Sequence, residues 1–399
     1  MPGTAPAPVR SSRLAAVLRE DGRVSSLELF FDLVFVLALT QCTQLMADEP
    51  TWTGVAQALA ILTLLWWSWS GYAWLTSTVN PEEGAVRIVM FAAMAAFLVV
   101  ALCVPEAFGA SGGLFAGAYA AVRVAHLLLY ALASRDDAEL RSSVIALSAS
   151  TAVAVGLLAA ASFADGALQG ALWAVAIALD LAGPYFFGVE GWRLVPSHFA
   201  ERFGLIVIIA LGESIVAIGA GVERGVDAGV VAAAVLGIAV AAALWWLYFD
   251  VVALVAERRL ARAAPGREQN AIARDAYGYL HLPMVAGIVL VALGMKKTLG
   301  EVGEPLKGVP ATALLGGAAL YLLAHVAFRL RNLGTLNRQR LLGAVVLAAL
   351  IPAALEVPAL VTVAVLAALL AAIIAYETVR FATLRDRIRH EVAPELHGH

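Results

Sequence analysis

The chain has 399 residues, 61% of them hydrophobic and only 14% charged, with a formal net charge of -3 and a mean hydropathy of +0.84. Soluble chains run at about 45–50% apolar and about 25% charged, so these values exclude a soluble globular enzyme, a disordered protein and a nucleic-acid binder. A membrane-crossing helix takes about 20 apolar residues, and about a dozen such stretches use nearly the whole length, leaving no room for a folded domain outside the bilayer.

Taken in chain order, residues 1–26 hold Pro, Arg and Ser without a continuous apolar core, so no cleavable signal peptide is expected and the first span serves as the insertion signal. Apolar runs then predict spans near 27–46, 52–78, 85–104, 112–134, 141–163 and 168–188. A second set falls near 199–221, 228–250, 278–295, 309–328, 341–355 and 359–379. Hydrocarbon offers the backbone no water to bond, so these runs are helices. The expected fold is an all-α polytopic membrane protein of about 12 transmembrane helices. A first six-helix half covers 27–188, a second covers 199–379, and residues 380–399 form a C-terminal tail. Cys42 and Cys103 fall inside spans, as small apolar filler rather than a disulfide.

Loop charge orients the chain. With a cytoplasmic amino terminus, 21 of the 27 Lys and Arg residues lie on the cytoplasmic side, four lie on the other side, and Arg123 and Arg202 lie within spans. Basic loops stay cytoplasmic during insertion, so both termini are expected inside, with the chain in the cytoplasmic (inner) membrane.

The halves share an order of landmarks. Glu28-Leu29-Phe30 corresponds to Glu201-Arg202-Phe203, and Trp66-Trp67 to Trp245-Trp246. Gly117 stands nine residues before His126, as Gly316 stands nine before His325. Six spans per half give parallel repeats, as a duplication would.

An ionised side chain at the bilayer centre costs at least about 2.5–3.5 kcal/mol, so intramembrane polar residues need partners or a wet cavity. Glu28 and Asp32 share a face of span 1, roughly 6 Å apart in depth. Tyr119, Arg123, His126 and Tyr130 form a polar-aromatic stripe on span 4. Further candidates are Asp180, Glu201, Arg202, Glu213, His281 and His325, with Asp250 at the end of span 8. Arg202 and Glu213 stand about 16 Å apart along one helix, so each is expected to meet a partner elsewhere. Two readings stay open for this set. It is a structural network in which Arg123 neutralises Asp32 or Asp180, or it lines a water-accessible site for a cation, a proton or a polar headgroup. Tryptophans within spans are read as packing, and Gly212 and Gly219 as permitting a close helix approach. No Walker-type phosphate loop, G-x-S-x-G or H-E-x-x-H is present, and neither a metal nor a cofactor is expected.

The string Leu27–Gln41 (LELFFDLVFVLALTQ), Trp66-Trp67, Pro105-Glu106-Ala107-Phe108, His198–Ser214 (HFAERFGLIVIIALGES), Leu244–Asp250 (LWWLYFD) and Tyr277–Leu290 (YGYLHLPMVAGIVL) together resemble the bacterial low temperature requirement A (LtrA) family. The resemblance spans nearly the whole chain and implies a polytopic bacterial membrane protein named for a cold-growth phenotype, without an assigned chemistry. Phe30-x-Asp32-x-Val34-Phe35-x-x-Ala38-x-Thr40 is also similar to the first helix of the lysosomal potassium channel family marked by a Phe-Ser-Asp motif. That likeness implies a tethering role for Asp32 and a constriction lined by residues such as Leu37. Here Phe31 replaces the serine, and Phe203-Gly204-Leu205 lacks the second aspartate.

The expected function is a channel or carrier for a cation or small solute, among membrane lipids, with a homo-oligomer allowed. The alternatives are an intramembrane lipid-modifying enzyme using Glu28, Asp32 and a histidine as acid-base groups, and a non-catalytic sensor or scaffold for cold growth.

Overall fold

A computed structural model describes residues 23–82, 84–186, 191–222 and 225–392. Arg10, Arg13, Arg19 and Arg224 of the charge pattern lie outside these residues. The described chain is helical throughout. Its first half comprises α1 (Ser26–Asp48), α2 (Trp52–Thr76), α3 (Gly84–Cys103), a 3-10 turn (Val104–Glu106), α4 (Gly112–Ala133), α5 (Ala138–Ala161) and α6 (Gly166–Phe186). The second comprises α7 (Pro196–Ala220), α8 (Ala228–Phe249), α9 (Val252–Arg262), α10 (Arg267–Ile272), a π-helical turn (Ala273–Tyr279), α11 (His281–Gly300), α12 (Gly308–Leu333), α13 (Arg338–Ala354), α14 (Ala359–Arg380) and α15 (Ala382–Val392).

Polar caps start many of these apolar helices. Ser25 and Glu28 form a reciprocal capping box at α1, and the side chains of Thr51, Asp137, Asp227 and Asn337 accept the first free N–H groups of α2, α5, α8 and α13. Each cap satisfies a donor that the helix itself leaves open.

Ten segments among the described residues are long and apolar enough to cross a membrane. The two expected spans outside that set are α2 and α13. Trp and Ser interrupt the apolar run of α2, although its 25 residues have the length, while α13 has only 17 residues.

Contacts between connections sort the helix ends into two groups. At one end, Thr78 donates to the Arg193 carbonyl, Arg193 pairs with Asp137, Asn270 donates to the Trp192 carbonyl, and Asn337 donates to Glu377. At the other end, Lys296 reaches Gln44, Gln169 donates to the Phe108 carbonyl, and the Ala359 and Leu360 amides donate to Glu304 and Val302. Among the described residues, the basic connections gather at the first end, hereafter the basic face.

The two halves pack alike. In the first, α1 packs on α2 and α3, α3 on α4, α4 on α5, α5 on α6, and α2 on α6. In the second, α7 packs on α8 and α11, α11 on α12, α12 on α13, α13 on α14, and α8 on α14. The same pattern appears once α9, α10 and the π turn are set aside as an insertion. The halves meet through α1, which lies against both α7 and α11.

Three expectations change. The basic stretch after span 8 is not an open loop. α9 turns Ala256 and Leu260 inward, leaves Arg262 exposed and holds Arg258 and Arg259 half-buried, as amphipathic spacing allows. Trp245 and Trp246 are 44% and 39% exposed rather than core, and their place near the basic end of α8 suits a membrane-interface belt. Gly212 and Gly219 make no close approach, since a Cβ on either would meet nothing within 4 Å.

The tight contact lies instead between α11 and α12. A Cβ on Gly287 would stand 2.6 Å from the Gly317 carbonyl oxygen, and one on Gly294 would stand 2.5 Å from Leu314 Cβ. Backbone stands in the way, so the helices themselves must part. Gly287→Ala is therefore expected to destabilise the protein by roughly 1–3 kcal/mol, read as a lower Tm in detergent. Gly156→Ala, which enters open space, is expected to leave Tm unchanged or raise it slightly.

Candidate functional site

Spacing on α1 and α7 builds the central site. Glu28 and Asp32 are one turn apart on α1, and His198 and Arg202 are one turn apart on α7, so each helix offers two polar groups on a single face. The faces meet. His198 Nε2 lies 2.9 Å from Glu28 Oε1, and Arg202 donates from Nη1 to Asp32 Oδ2 at 2.6 Å. Arg202 Nε stands 3.9 Å from Glu28, and Trp69 of α2 donates to Asp32 Oδ1 at 2.8 Å. All five side chains are buried.

Along this seam the next turns are apolar: α1 buries Phe35, Ala38 and Leu39, α7 buries Phe203, Ile206, Val207 and Ala210, and the rings of Phe35 and Phe203 both pack on Trp69 of α2. Polar groups return at its far end. The Thr40 hydroxyl donates to Glu213 Oε2 at 2.5 Å, and Lys296 donates to Gln44. Asp32 and Thr40 are eight residues apart, so about 12 Å of helix separates the two polar stations. Opening the seam at either end would uncover acid and base groups to which a cation or a polar solute can bind.

A second cluster lies within the first half. Arg123 of α4 donates to Asp180 Oδ1 of α6 and to Thr151 Oγ1 of α5, both at 2.8 Å, and Tyr119 donates to Asp180 Oδ2 at 3.0 Å. Asp180, not Asp32, neutralises Arg123. His126 packs edge-on against Tyr130 and tilted against Tyr72. A cavity of about 80 Å³ opens beside Arg123 and His126, walled by Trp67, Trp74 and Trp192.

A third cluster joins α12, α13 and α14 at the basic face. Arg340 forks onto Glu377 at 3.0 and 2.8 Å, and its Nη1 lies 3.0 Å from both the Leu247 carbonyl and His325 Nδ1. Arg385 of α15 pairs with Asp250 beside a cavity of about 140 Å³. His281 is held by two partners: its Nδ1 lies 3.0 Å from the Ala276 carbonyl, and its Nε2 lies 2.8 Å from the Tyr248 hydroxyl. That pattern assigns the proton to Nδ1, leaving Nε2 to accept from Tyr248.

Most of the predicted polar residues thus fall into clusters, but Glu201 does not. It is exposed, and its carboxylate accepts from the Val24 amide at 3.4 Å. One residue advances a helix by about 100°, so the inward turn of Arg202 sends Glu201 outward. His198, Trp69, Thr40, Arg340 and Glu377 are the partners that sequence spacing did not supply. For His198 a signal exists, because it precedes Arg202 by four residues. The remaining partners carry no such mark.

Residues 23–375 match the family described as Bacterial low temperature requirement A protein (LtrA). An uncharacterized protein of Rhizobium meliloti (strain 1021), RA0937, is 31% identical over 307 residues, covering 74% of each chain. No solved structure matches.

Breaking one side of a buried pair strands the other charge, at about 3–5 kcal/mol. Arg202→Met should therefore lower stability by about that much, while the double variant Arg202→Met with Asp32→Leu should recover most of the loss. Thermal unfolding of the single and double variants in detergent measures the coupling. Additive losses would show that the pair is not the coupling element.

Proposed function

The chain belongs to the bacterial low temperature requirement A family, and we propose that it carries a cation or small polar solute across the bacterial cytoplasmic membrane along the seam between α1 and α7. The observation that carries this reading is the arrangement of the seam. Polar stations stand at Glu28–Asp32–His198–Arg202 and at Thr40–Glu213, with a packed apolar segment between them. A path of this kind is closed in the resting arrangement, and it passes a solute when the helices on either side part at one end at a time.

The repeated packing of the halves supports the same reading. A duplicated six-helix unit, with α1 and α7 as equivalent members facing each other, gives two bodies that can rock about a shared interface, as in other duplicated carriers. In this reading α2 and α13 also cross, making twelve spans, and the basic face is cytoplasmic by the positive-inside rule, with both termini there. Glu28, Asp32, Arg202 and Glu213 bind or gate, and His198 holds Glu28 in place. Arg123, Asp180, His281 and His325 brace the individual halves.

The full chain in liposomes, loaded with reporters for potassium, sodium and protons, tests this. Gradient-driven flux of one of these ions is expected, reduced at least tenfold by Glu213→Gln and by Arg202→Lys. The outward-facing Glu201→Gln should leave it unchanged. Absence of flux for all three ions would overturn the cation reading, and flux indifferent to both seam variants would overturn the seam as its path.

A further inference from the structure

The cavity beside α4 contains more donor capacity than its own residues satisfy. Arg123 and His126 line it, each only 2% exposed. Arg123 Nε has no hydrogen-bond partner among the described residues, and neither has the hydroxyl of Tyr130, which packs on the His126 ring, while the imidazole itself has the Gly71 backbone as a polar neighbour on one side. Buried polar groups in a native protein are normally satisfied by protein, water or ligand. Open polar atoms on two side chains that line one cavity therefore point to an occupant.

The lining defines the charge of that occupant. Arg274, half-buried at the π-helical turn, supplies a second guanidinium; Asp275 holds its Nε at 2.7 Å and the Pro184 carbonyl takes Nη1, which leaves Nη2, and no carboxylate lies among the described lining residues. Asp180 neutralises Arg123 from behind, through Nη2, so Nε keeps its donor for another acceptor. The cavity of the second half differs, because Asp250 and Glu377 line it along with Arg340 and Arg385. The first cavity is thus the one of the two whose guanidiniums face it without a lining carboxylate.

Its position and walls refine the chemistry. Trp67, Trp74 and Trp192 surround it near the basic face, the level at which tryptophan sits among lipid headgroups. Its volume of about 80 Å³ is several times the roughly 10–15 Å³ that one water requires by this measure. The donors come from α4 and from the π turn, on different sides of the space, which suits a tetrahedral group with several acceptor oxygens.

We propose that this cavity is a binding site for a phosphate-bearing anion, held by Arg123, His126 and Arg274. The site lies within the first half, apart from the α1–α7 seam, and does not depend on transport through that seam. His126 rests directly on Gly71, where a Cβ would stand 2.9 Å from its ring. The glycine leaves room for the imidazole and its backbone can hold one ring nitrogen, so that the other serves the ligand.

The probe is intrinsic tryptophan fluorescence of the purified, delipidated full chain, titrated in detergent with inorganic phosphate and with chloride at matched ionic strength. A parallel titration uses nanodiscs of phosphatidylcholine with and without phosphatidate. A saturable response to phosphate but not chloride identifies a soluble anion as ligand. A response confined to phosphatidate discs identifies a lipid headgroup, and both results support the site. Either response is expected to weaken at least tenfold in His126→Phe and in Arg274→Gln, with folding checked by size exclusion. If His126→Phe fails to fold, Arg274→Gln at the mouth of the cavity carries the test. No saturable response in either setting, an equal response to chloride, or unchanged binding in the folded variants would overturn the proposal.

Discussion

Asp32 and Arg202, 2.6 Å apart and fully buried, set the constraint on which the architecture rests. Hydrocarbon cannot solvate either ion, so neither helix can enter the fold without the other. The pair holds α1 against α7 at a fixed depth, and the Trp69 indole draws α2 into the same contact. One turn away, Glu28 serves two roles, completing the cap of α1 and meeting His198. The helix start and the helix–helix contact are thus fastened by a single carboxylate.

The same logic recurs within each half. Arg123 ties α4 to α5 and α6 through Thr151 and Asp180, and Arg340 ties α13 to α14 and α12 through Glu377 and His325. Packing without ions does comparable work between α11 and α12, the most buried spans, where Gly287 and Gly317 let two backbones touch. Lipid competes poorly with such close contact, because small residues let helices gain dispersion energy that acyl chains cannot match. α5 and α6 are the least buried spans, and they wall the cavity that holds unsatisfied donors.

Much of this was legible in the residues. The twelve apolar runs coincide with α1 to α8 and α11 to α14 to within a few residues, and the sharing of one face by Glu28 and Asp32 follows from helical period alone. His198 was legible in principle, being four residues before Arg202. The helix, however, begins at Pro196 rather than near residue 199, because proline is well suited to a first helical position, and His198 was placed before the helix. Arg340 is hidden for a similar reason: the apolar run begins near residue 341, but α13 starts at Arg338 under the Asn337 cap. A shift of a few residues at a helix start is enough to hide a buried ion. Gly212 and Gly219 misled in the opposite direction, because their spacing matches a packing stripe but their face meets no neighbour.

Composition alone places this chain in a membrane as helices, because it sets the solvent, and a period of 3.6 residues sets which face of each helix carries polar groups. Which polar face meets which comes from the assembled helices: Asp32 with Arg202 rather than Arg123, Arg123 with Asp180, Glu213 with Thr40. The physical reason is that a helical pattern specifies a direction from one axis and says nothing about the neighbour in that direction. Several acids and bases lie at similar depths, and any of them would satisfy the electrostatics alone. The packing of every helix together selects one set of pairs, and with it leaves Arg123 Nε without a partner among the described residues, beside a cavity that His126 also lines.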